Sequence, residues 1–502
     1  MTRKISAAMI SQHPDHAGKP YWHTEEFIST NHETFECFLS FSELGVSEYK
    51  WDWEGKLVDE SVMERLLSTH YEFFKTHQLG YDKFLTFRLP NPKVETEFRI
   101  GRAFMGILSA DMIARQYGFY SPPLFEVILP MTTSAGEMIA VQEAFREIAS
   151  LKHQLYRMGD RNLRHIELIP LFEDVETIMN SDKILDTYLK MHKKKFKFRP
   201  SYIRPYLARS DPALNAGIVP TVLAIKLALS KYKNYSERED IELYPVIGSA
   251  SLPFRGGLTP LNINEFVNEY RGIRTALIQS GFRYDYEKKD VIKAVVNLEK
   301  LLPQKSALDV SGAEEKEIRL MVEIFENQYT PVIEEIAELI NTIASMLPRR
   351  RERVQHIGLF GYSRGVGKVK LPRAIGFTAA LYSLGIPPEF IGTGRGIKKA
   401  KTLGLLPTLE KFYINIKADL MRAGRYLNKK NLSILAKENK VWSDIEEDIK
   451  EIEIYLGEEV APLTKEEKKH LLITSEIVKK IDTGESLAKL IQDAAILRKS
   501  LG

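Results

Sequence analysis

Residues 124–151 read LFEVILPMTTSAGEMIAVQEAFREIASL, and their periodicity decides the fold. Phe125–Pro130 is a short apolar run of the kind that forms a buried strand. Thr132, Thr133 and Ser134 supply a polar turn. A helix follows from about Gly136 to Lys152, with Ile139, Ala140, Ala144 and Ile148 at helical spacing. The same unit recurs along the chain. A strand over Ile166–Phe172 ends on Glu173 and Asp174. A strand over Ser201–Leu207 leads to Ser210 and Asp211. Residues 241–258, IELYPVIGSASLPFRGGL, read as a strand and a glycine-rich loop, and RVQHIGLFGYSRGVGK (353–368) as another strand that ends on Ser363 and Arg364. Strands alternating with amphipathic helices form parallel βαβ units. The expected fold class is α/β: a TIM-type (β/α)8 barrel with many additional α-helices and a helix-rich C-terminal third. In such a barrel the polar residues just after each strand share one rim, at the C-terminal ends of the strands.

No Gly/Ser-rich or proline-rich linker divides the chain, so residues 1–502 are expected to form a single large domain. Its parts are an N-terminal portion to about 120, a barrel core over about 121–400 and a helical region over about 401–502. Lysine plus arginine number 71 and aspartate plus glutamate 67, a formal net charge of +4. That near-balance does not favour a nucleic-acid or membrane partner. The lone cysteine, Cys37, excludes an internal disulfide and a cysteine zinc cluster, and suits a reducing, cytoplasmic setting. The N-terminus has no apolar run long enough for a secretory signal, and nowhere do 18 apolar residues run together.

Three kinds of side chain carry the chemistry. Glu173 and Asp211 follow separate strands, and two carboxylates on one rim make a hard oxygen site for Mg²⁺ or Mn²⁺. The competing reading of Asp211, which precedes Pro212, is a helix N-cap; from sequence the two readings stand about even. Arg255 in PFRGGL, Arg364 in GYSRG and Arg373 in KLPRAIG lie near strand ends. Guanidinium groups there suit an anionic substrate with more than one charged group. His13, in SQHPDHA, is a candidate base near neutral pH. Pro14 argues against His13 and His16 chelating a metal from a helix. GYSRGVGKVK fails as a phosphate-binding loop, because valine follows Lys368. IGTGRGI (391–397) lacks the βαβ frame of a dinucleotide fingerprint. The basic run 193–199, with Phe196 and Phe198, reads either as a helix end whose cations suit the dipole or as a nucleic-acid contact.

Taken in order, these stretches resemble the phosphoenolpyruvate carboxylases, in particular the short archaeal-type form. SQHPDHA (11–17) is similar to the family's T-A-H-P-T-E, whose histidine is catalytic, and places it at His13. ILPMTTSAGEMIAV (128–141) resembles the I-S-M-(T/A)-x-S stretch. LIPLFED (168–174) resembles V-x-P-L-F-E-T, and ARSDPALNAG (208–217) resembles G-Y-S-D-S-x-K-D-x-G. These two supply the metal-binding Glu173 and Asp211. LPFRGGL (252–258) resembles F-H-G-R-G-G and carries a substrate arginine onto Arg255. GYSRG, KLPRAIGF and IPPEFIGTG resemble G-S-R-P, S-L-R-A-I-P-W and L-P-x-W-x-G-T-G, and add Arg364 and Arg373. A further substrate arginine falls on Arg88, in FLTFRLPNP. The departures are Leu214 in place of the motif lysine, Pro253 in place of the histidine, no second G-R-G-G repeat, and an ending LRKSLG without the asparagine. The last two remove family residues that bind inhibitory aspartate.

The resemblance implies carboxylation of phosphoenolpyruvate by bicarbonate to oxaloacetate and phosphate, through carboxyphosphate and a metal-stabilised enolate. His13, Arg255, Arg364 and Arg373 would be catalytic. Arg88, Arg255, Gly256, Gly257, Arg364 and Arg373 would bind substrate, with Mg²⁺ or Mn²⁺ on Glu173 and Asp211. The glycine-rich loops around 255 and 365 would form a lid. A homotetramer is implied, with the C-terminal third as its interface. The alternatives are another magnesium-dependent barrel lyase acting on phosphoenolpyruvate or pyruvate and, from a different class, a nucleic-acid-binding protein using 193–199.

Overall fold

The computed structural model describes residues 3–95, 98–151, 163–352, 369–483 and 485–502. The predicted strand over 353–368 and Arg364 lie outside them. The described residues contain ten strands: β1 (Ala8–Ser11), β2 (Glu48–Asp52), β3 (Phe84–Arg88), β4 (Glu126–Leu129), β5 (Glu167–Phe172), β6 (Tyr202–Ile203), β7 (Tyr206–Leu207), β8 (Glu242–Leu243), β9 (Val246–Ile247) and β10 (Thr275–Ile278). Eight of them close a parallel barrel in the order β1-β10-β9-β7-β5-β4-β3-β2, while β6 and β8 pair apart as a two-stranded sheet. The fold is the expected TIM-type barrel.

Two elements differ from the periodicity reading for one reason. The single strands expected over Ser201–Leu207 and from Ile241 onward are each split by a proline. Pro205 and Pro245 have no N–H to give a ladder, so β6 and β8 peel off and pair below the barrel. The chain rejoins through Tyr244 N–H to the Ile203 carbonyl (2.9 Å) and Val246 N–H to the Pro205 carbonyl (2.8 Å). The first three strands lie in the N-terminal portion. In β2, EYKWD, Tyr49 and Trp51 pack into the large outer core, which leaves Glu48, Lys50 and Asp52 on the opposite face, toward the barrel axis. Charged residues at inward positions hide the apolar signature of a barrel strand.

The barrel interior is layered. Met9, Ile128, Ile169, Leu171, Tyr206, Val246 and Leu277 form an apolar middle. Below it, at the N-terminal ends of the strands, lies an ionic plug. Arg204 donates to both Glu48 oxygens at 2.7 and 2.9 Å and to Glu126 at 3.1 Å, and Arg3 pairs with the same two carboxylates. Thr86 completes Glu48 at 2.6 Å. Burial would raise the Glu48 carboxyl, but the two guanidinium groups overcome it and hold it below the usual carboxylate range. Removing one partner of a buried ionic network strands the others, at a cost of about 3–5 kcal/mol. Arg204→Met is therefore expected to lower the thermal midpoint substantially without changing the substrate dependence of residual activity. A midpoint within a degree of the parent would remove the plug from the account.

Outside the barrel, the helix Gly312–Ser345 starts with a Ser311–Glu314 capping box and presents Ile318, Phe325, Val332, Ile336, Ile340 and Ile343 as a buried stripe. The IGTGRGI stretch opens the helix Thr393–Thr402, and its glycines serve packing. A Cβ at Gly394 would lie 1.9 Å from the Asp448 carbonyl, and one at Gly396 would lie 2.3 Å from the Phe325 ring. The Asp448 carboxylate already accepts from the first N–H groups of that helix, at Gly392 and Arg395 (both 2.8 Å). Lys193–Lys195 form the last turn of the helix Ser181–Phe196, where cations meet its carbonyl end, and Phe196 is buried.

Candidate active site

A cavity of about 670 Å³ opens at the C-terminal rim, and His13, Arg88, Glu173, Asp211, Arg255 and Arg373 all line it. Residues separated by up to 360 positions meet because each follows, ends or packs over a different strand. His13 follows β1, Arg88 ends β3, Glu173 follows β5, Asp211 follows β7 and Arg255 follows β9. Arg373 enters from outside the barrel, at the start of the helix Ala374–Leu384.

The two histidines separate by environment. His16 is buried and clamped, its Nδ1 2.9 Å from Ser280 Oγ and its Nε2 3.1 Å from the Glu26 carbonyl. Burial drives its pKa down to about 3, so it is a neutral structural residue. His13 is half-buried on the cavity wall. Its loop is pinned through its own carbonyl, which accepts from Ser280 Oγ at 2.8 Å. Asp15 fixes the same loop from behind. Its carboxylate accepts from Gly281 N–H at 2.7 Å and stands 3.5 Å from Arg255. Burial raises the Asp15 carboxyl against the pull of Arg255.

Glu173 and Asp211 both face the cavity, and their neighbours relieve them of capping duty. Asp174, not Glu173, caps the helix Val175–Met179 by accepting from Thr177 N–H at 2.8 Å. Asp211 lies within the first turn of the helix Ser210–Ala216, whose N-cap is Arg209, and makes no cap bond. The capping reading of Asp211 is thereby set aside. Glu173 accepts from the Met131 N–H at 2.6 Å, an N–H aimed by the left-handed backbone of Met131 (φ +49°). Burial first, then the charges of Glu54 and Asp211, raises the Glu173 carboxyl well above the usual range. These crowded oxygens suit a divalent cation, which would relieve both penalties at once. Among the described residues no three histidine, cysteine or acidic side chains gather to hold an ion. A cation here would take two protein carboxylates and fill its remaining positions from water and substrate, the usual habit of Mg²⁺.

The arginines are held by carboxylates. Arg88 makes a two-point fork to Asp52 (2.7 and 2.6 Å) and reaches Glu54 at 2.5 Å. Glu54 stands 3.6 Å from Arg373 and so links the two guanidinium groups. Arg255 donates to Gln279 Oε1 at 2.7 Å, to Ser210 Oγ at 3.1 Å and to the Gly502 carbonyl. The chain's last residues reach the site: Leu501 lines the cavity and its N–H donates to the Asp15 carbonyl at 2.7 Å. A Cβ on Gly502 would come 2.1 Å from the Ile375 carbonyl.

Gly256 and Gly257 do not line the cavity; their N–H groups bond back to the carbonyls of Pro253 and Leu252. Their loop is buried and braced. Arg209 donates to the carbonyls of Phe254 and Pro253, and Phe254 N–H donates to Glu389 at 2.7 Å. A segment locked in this way does not act as a lid, which corrects the expectation for the loop at 255. The loop at 365 lies outside the described residues. Sequence reading missed Glu54, Arg209, Gln279 and the run Arg349–Arg351, all on the cavity wall. The signal for the last was available, three arginines in succession. Arg350 grips Glu26 (2.7 Å) and Arg351 grips Glu33 and Glu36 (2.9 and 2.8 Å), tying down the N-terminal segment that carries His13.

Comparison with known proteins points to one family. A family profile described as phosphoenolpyruvate carboxylase matches residues 5–502. A protein of Leuconostoc mesenteroides named phosphoenolpyruvate carboxylase is 40% identical over 504 residues, covering 100% of both chains. One of that name from Metallosphaera sedula is 38% identical over 528 residues, with 100% of both chains covered. Another, from Methanothermobacter thermautotrophicus, is 37% identical over 513 residues, covering 99% of this chain and 100% of the relative.

Proposed function

The chain belongs to the phosphoenolpyruvate carboxylase family, and from that membership we propose how its cavity carries out the reaction. Phosphoenolpyruvate and bicarbonate give oxaloacetate and phosphate. A bicarbonate oxygen attacks phosphorus, the bond from phosphorus to the enol oxygen breaks, and carboxyphosphate and the pyruvate enolate result. Arg88, Arg255 and Arg373 neutralise the anionic groups and hold them in line, since positioning and charge stabilisation dominate phosphoryl transfer. Arg364 joins them on the strength of the resemblance. Glu173 and Asp211 would hold a divalent cation, Mg²⁺ or Mn²⁺, whose charge would stabilise the developing enolate. His13 takes the carboxyl proton of carboxyphosphate. The bond from carbon to the phosphoryl oxygen then breaks, releasing carbon dioxide beside the enolate and phosphate, which regains the proton. The enolate carbon attacks carbon dioxide before water can protonate it.

The observation that supports this most is the meeting of two acids, three arginines and a histidine from distant segments on one cavity. A coupled oxaloacetate assay, run with and without bicarbonate and divalent metal, tests it. Oxaloacetate and phosphate should appear together only when both are present. Phosphate release independent of bicarbonate would favour a lyase of another kind. The homotetramer and the cytoplasmic setting belong to the same proposal. Leu403, Ile454, Leu463, Leu472 and Ile496 are exposed on the C-terminal third and suit a subunit interface, and the buried free thiol of Cys37 suits a reducing compartment.

A further inference from the structure

Lys50 is the central inward residue of β2 and is completely buried. The register pairs it directly with Ser11 on β1, two residues before His13. These two strands hold the His13 ring from both sides. Ser11 Oγ lies 2.9 Å from Nδ1, and Lys50 Nζ lies 3.5 Å from Nε2, the outer edge of hydrogen-bond reach. The two partners differ in what they can offer. A serine hydroxyl either donates or accepts, so the Ser11 contact leaves the ring tautomer open. A lysine ammonium has three protons to give and no lone pair, so Nε2 beside it must be the nitrogen without a proton. Nδ1 then carries the hydrogen and donates it to Ser11 Oγ. The inward carboxylate of Asp52 follows on the same strand face.

We propose that Lys50 is a positioning residue that fixes His13 as the Nδ1–H tautomer, with the Nε2 lone pair ready to accept a proton. The inference rests on the reading of His13 as the proton acceptor and specifies which nitrogen does the work. In the carboxyphosphate step the carboxyl proton passes to Nε2, the bond from carbon to the phosphoryl oxygen breaks, and carbon dioxide and phosphate separate. The resulting imidazolium then faces the Lys50 ammonium in a buried setting, with the Arg283 guanidinium, paired with Glu36 at 3.2 Å, bonded 2.9 Å from the Ser11 carbonyl behind it. That arrangement drives the proton on to the departing phosphate and restores the base. The long Lys50 contact also leaves room for the substrate at the same lone pair.

Nitrogen-15 NMR of histidine-labelled protein, with the His13 signals assigned by their loss in His13→Asn, tests the tautomer directly. The parent protein should show an unprotonated Nε2. A protonated Nε2 with a bare Nδ1 would overturn the proposal without any Lys50 variant being needed. Lys50→Met keeps the length and loses the donor, and should shift His13 toward the Nε2–H form. It should also lower the ratio of oxaloacetate to pyruvate formed per phosphate released by about tenfold, the scale of loss for partners that orient a reacting group. Lys50→Arg, which keeps a donor-only cation, should recover part of both readouts. If His13→Asn loses oxaloacetate while Lys50→Met keeps the parent's tautomer and ratio, the Lys50 assignment falls alone. If His13→Asn keeps its oxaloacetate yield, the proton-acceptor reading falls and takes the role of Lys50 with it.

Discussion

His13→Asn is expected to keep consuming phosphoenolpyruvate while releasing pyruvate in place of oxaloacetate. The arginines and both acids that handle phosphoryl transfer remain, so carboxyphosphate and enolate still form. What is lost is the acceptor for the carboxyl proton. Positioned acid–base groups contribute on the order of 10²–10⁴-fold, so oxaloacetate formation should fall by about that factor. The stranded enolate is then protonated by solvent. Asparagine fits the half-buried place of His13, and the loop is held by the residue's backbone carbonyl through Ser280, so the fold should survive. The check is a paired measurement of pyruvate and oxaloacetate against phosphate. An unchanged oxaloacetate yield would take His13 out of the mechanism.

Asp211→Asn and Glu173→Gln should each raise the divalent-metal requirement by at least on the order of 100-fold, since even partners outside the coordination sphere are worth about 10–100-fold. The direct readout is Mn²⁺ binding to the substrate-free protein by electron paramagnetic resonance. The parent protein should also show a pH dependence of definite sign. Burial, then the charges of Glu54 and Asp211, raises the Glu173 carboxyl, so at mildly acidic pH it holds a proton that an arriving cation must displace. Apparent Mn²⁺ affinity should therefore rise as pH increases through the neutral range and level off once that proton is gone. Glu173→Gln should flatten this dependence as well as weaken binding. Affinity that is flat with pH in the parent, or unaltered in both variants, would dismiss the pair as ligands.

The opening stretch 124–151 was readable because β4 and its helix obey their periods closely, with the helix observed at Ala135–Ala149. The same logic worked for β5, observed at Glu167–Phe172 with Glu173 and Asp174 just after it. It failed where inward positions are charged, as in β2, and where Pro205 and Pro245 broke what read as single strands. Glu54 was invisible because its importance is relational: a glutamate in WDWEGK gains meaning only between Arg88 and Arg373. Lys50 was missed for the same reason.

The sequence by itself determined the barrel class, the places of Glu173, Asp211 and Arg255 after barrel strands, and the order of motifs that places the chain in its family, because these depend on local period and residue type. Only the tertiary structure decided that His16 is buried and clamped behind the His13 loop, that Asp211 is not a cap, and that Arg255 is gripped by the chain's last residue. Those outcomes depend on burial and on contacts between segments up to 486 positions apart, from Asp15 to Leu501, and such contacts exist only once the barrel has closed.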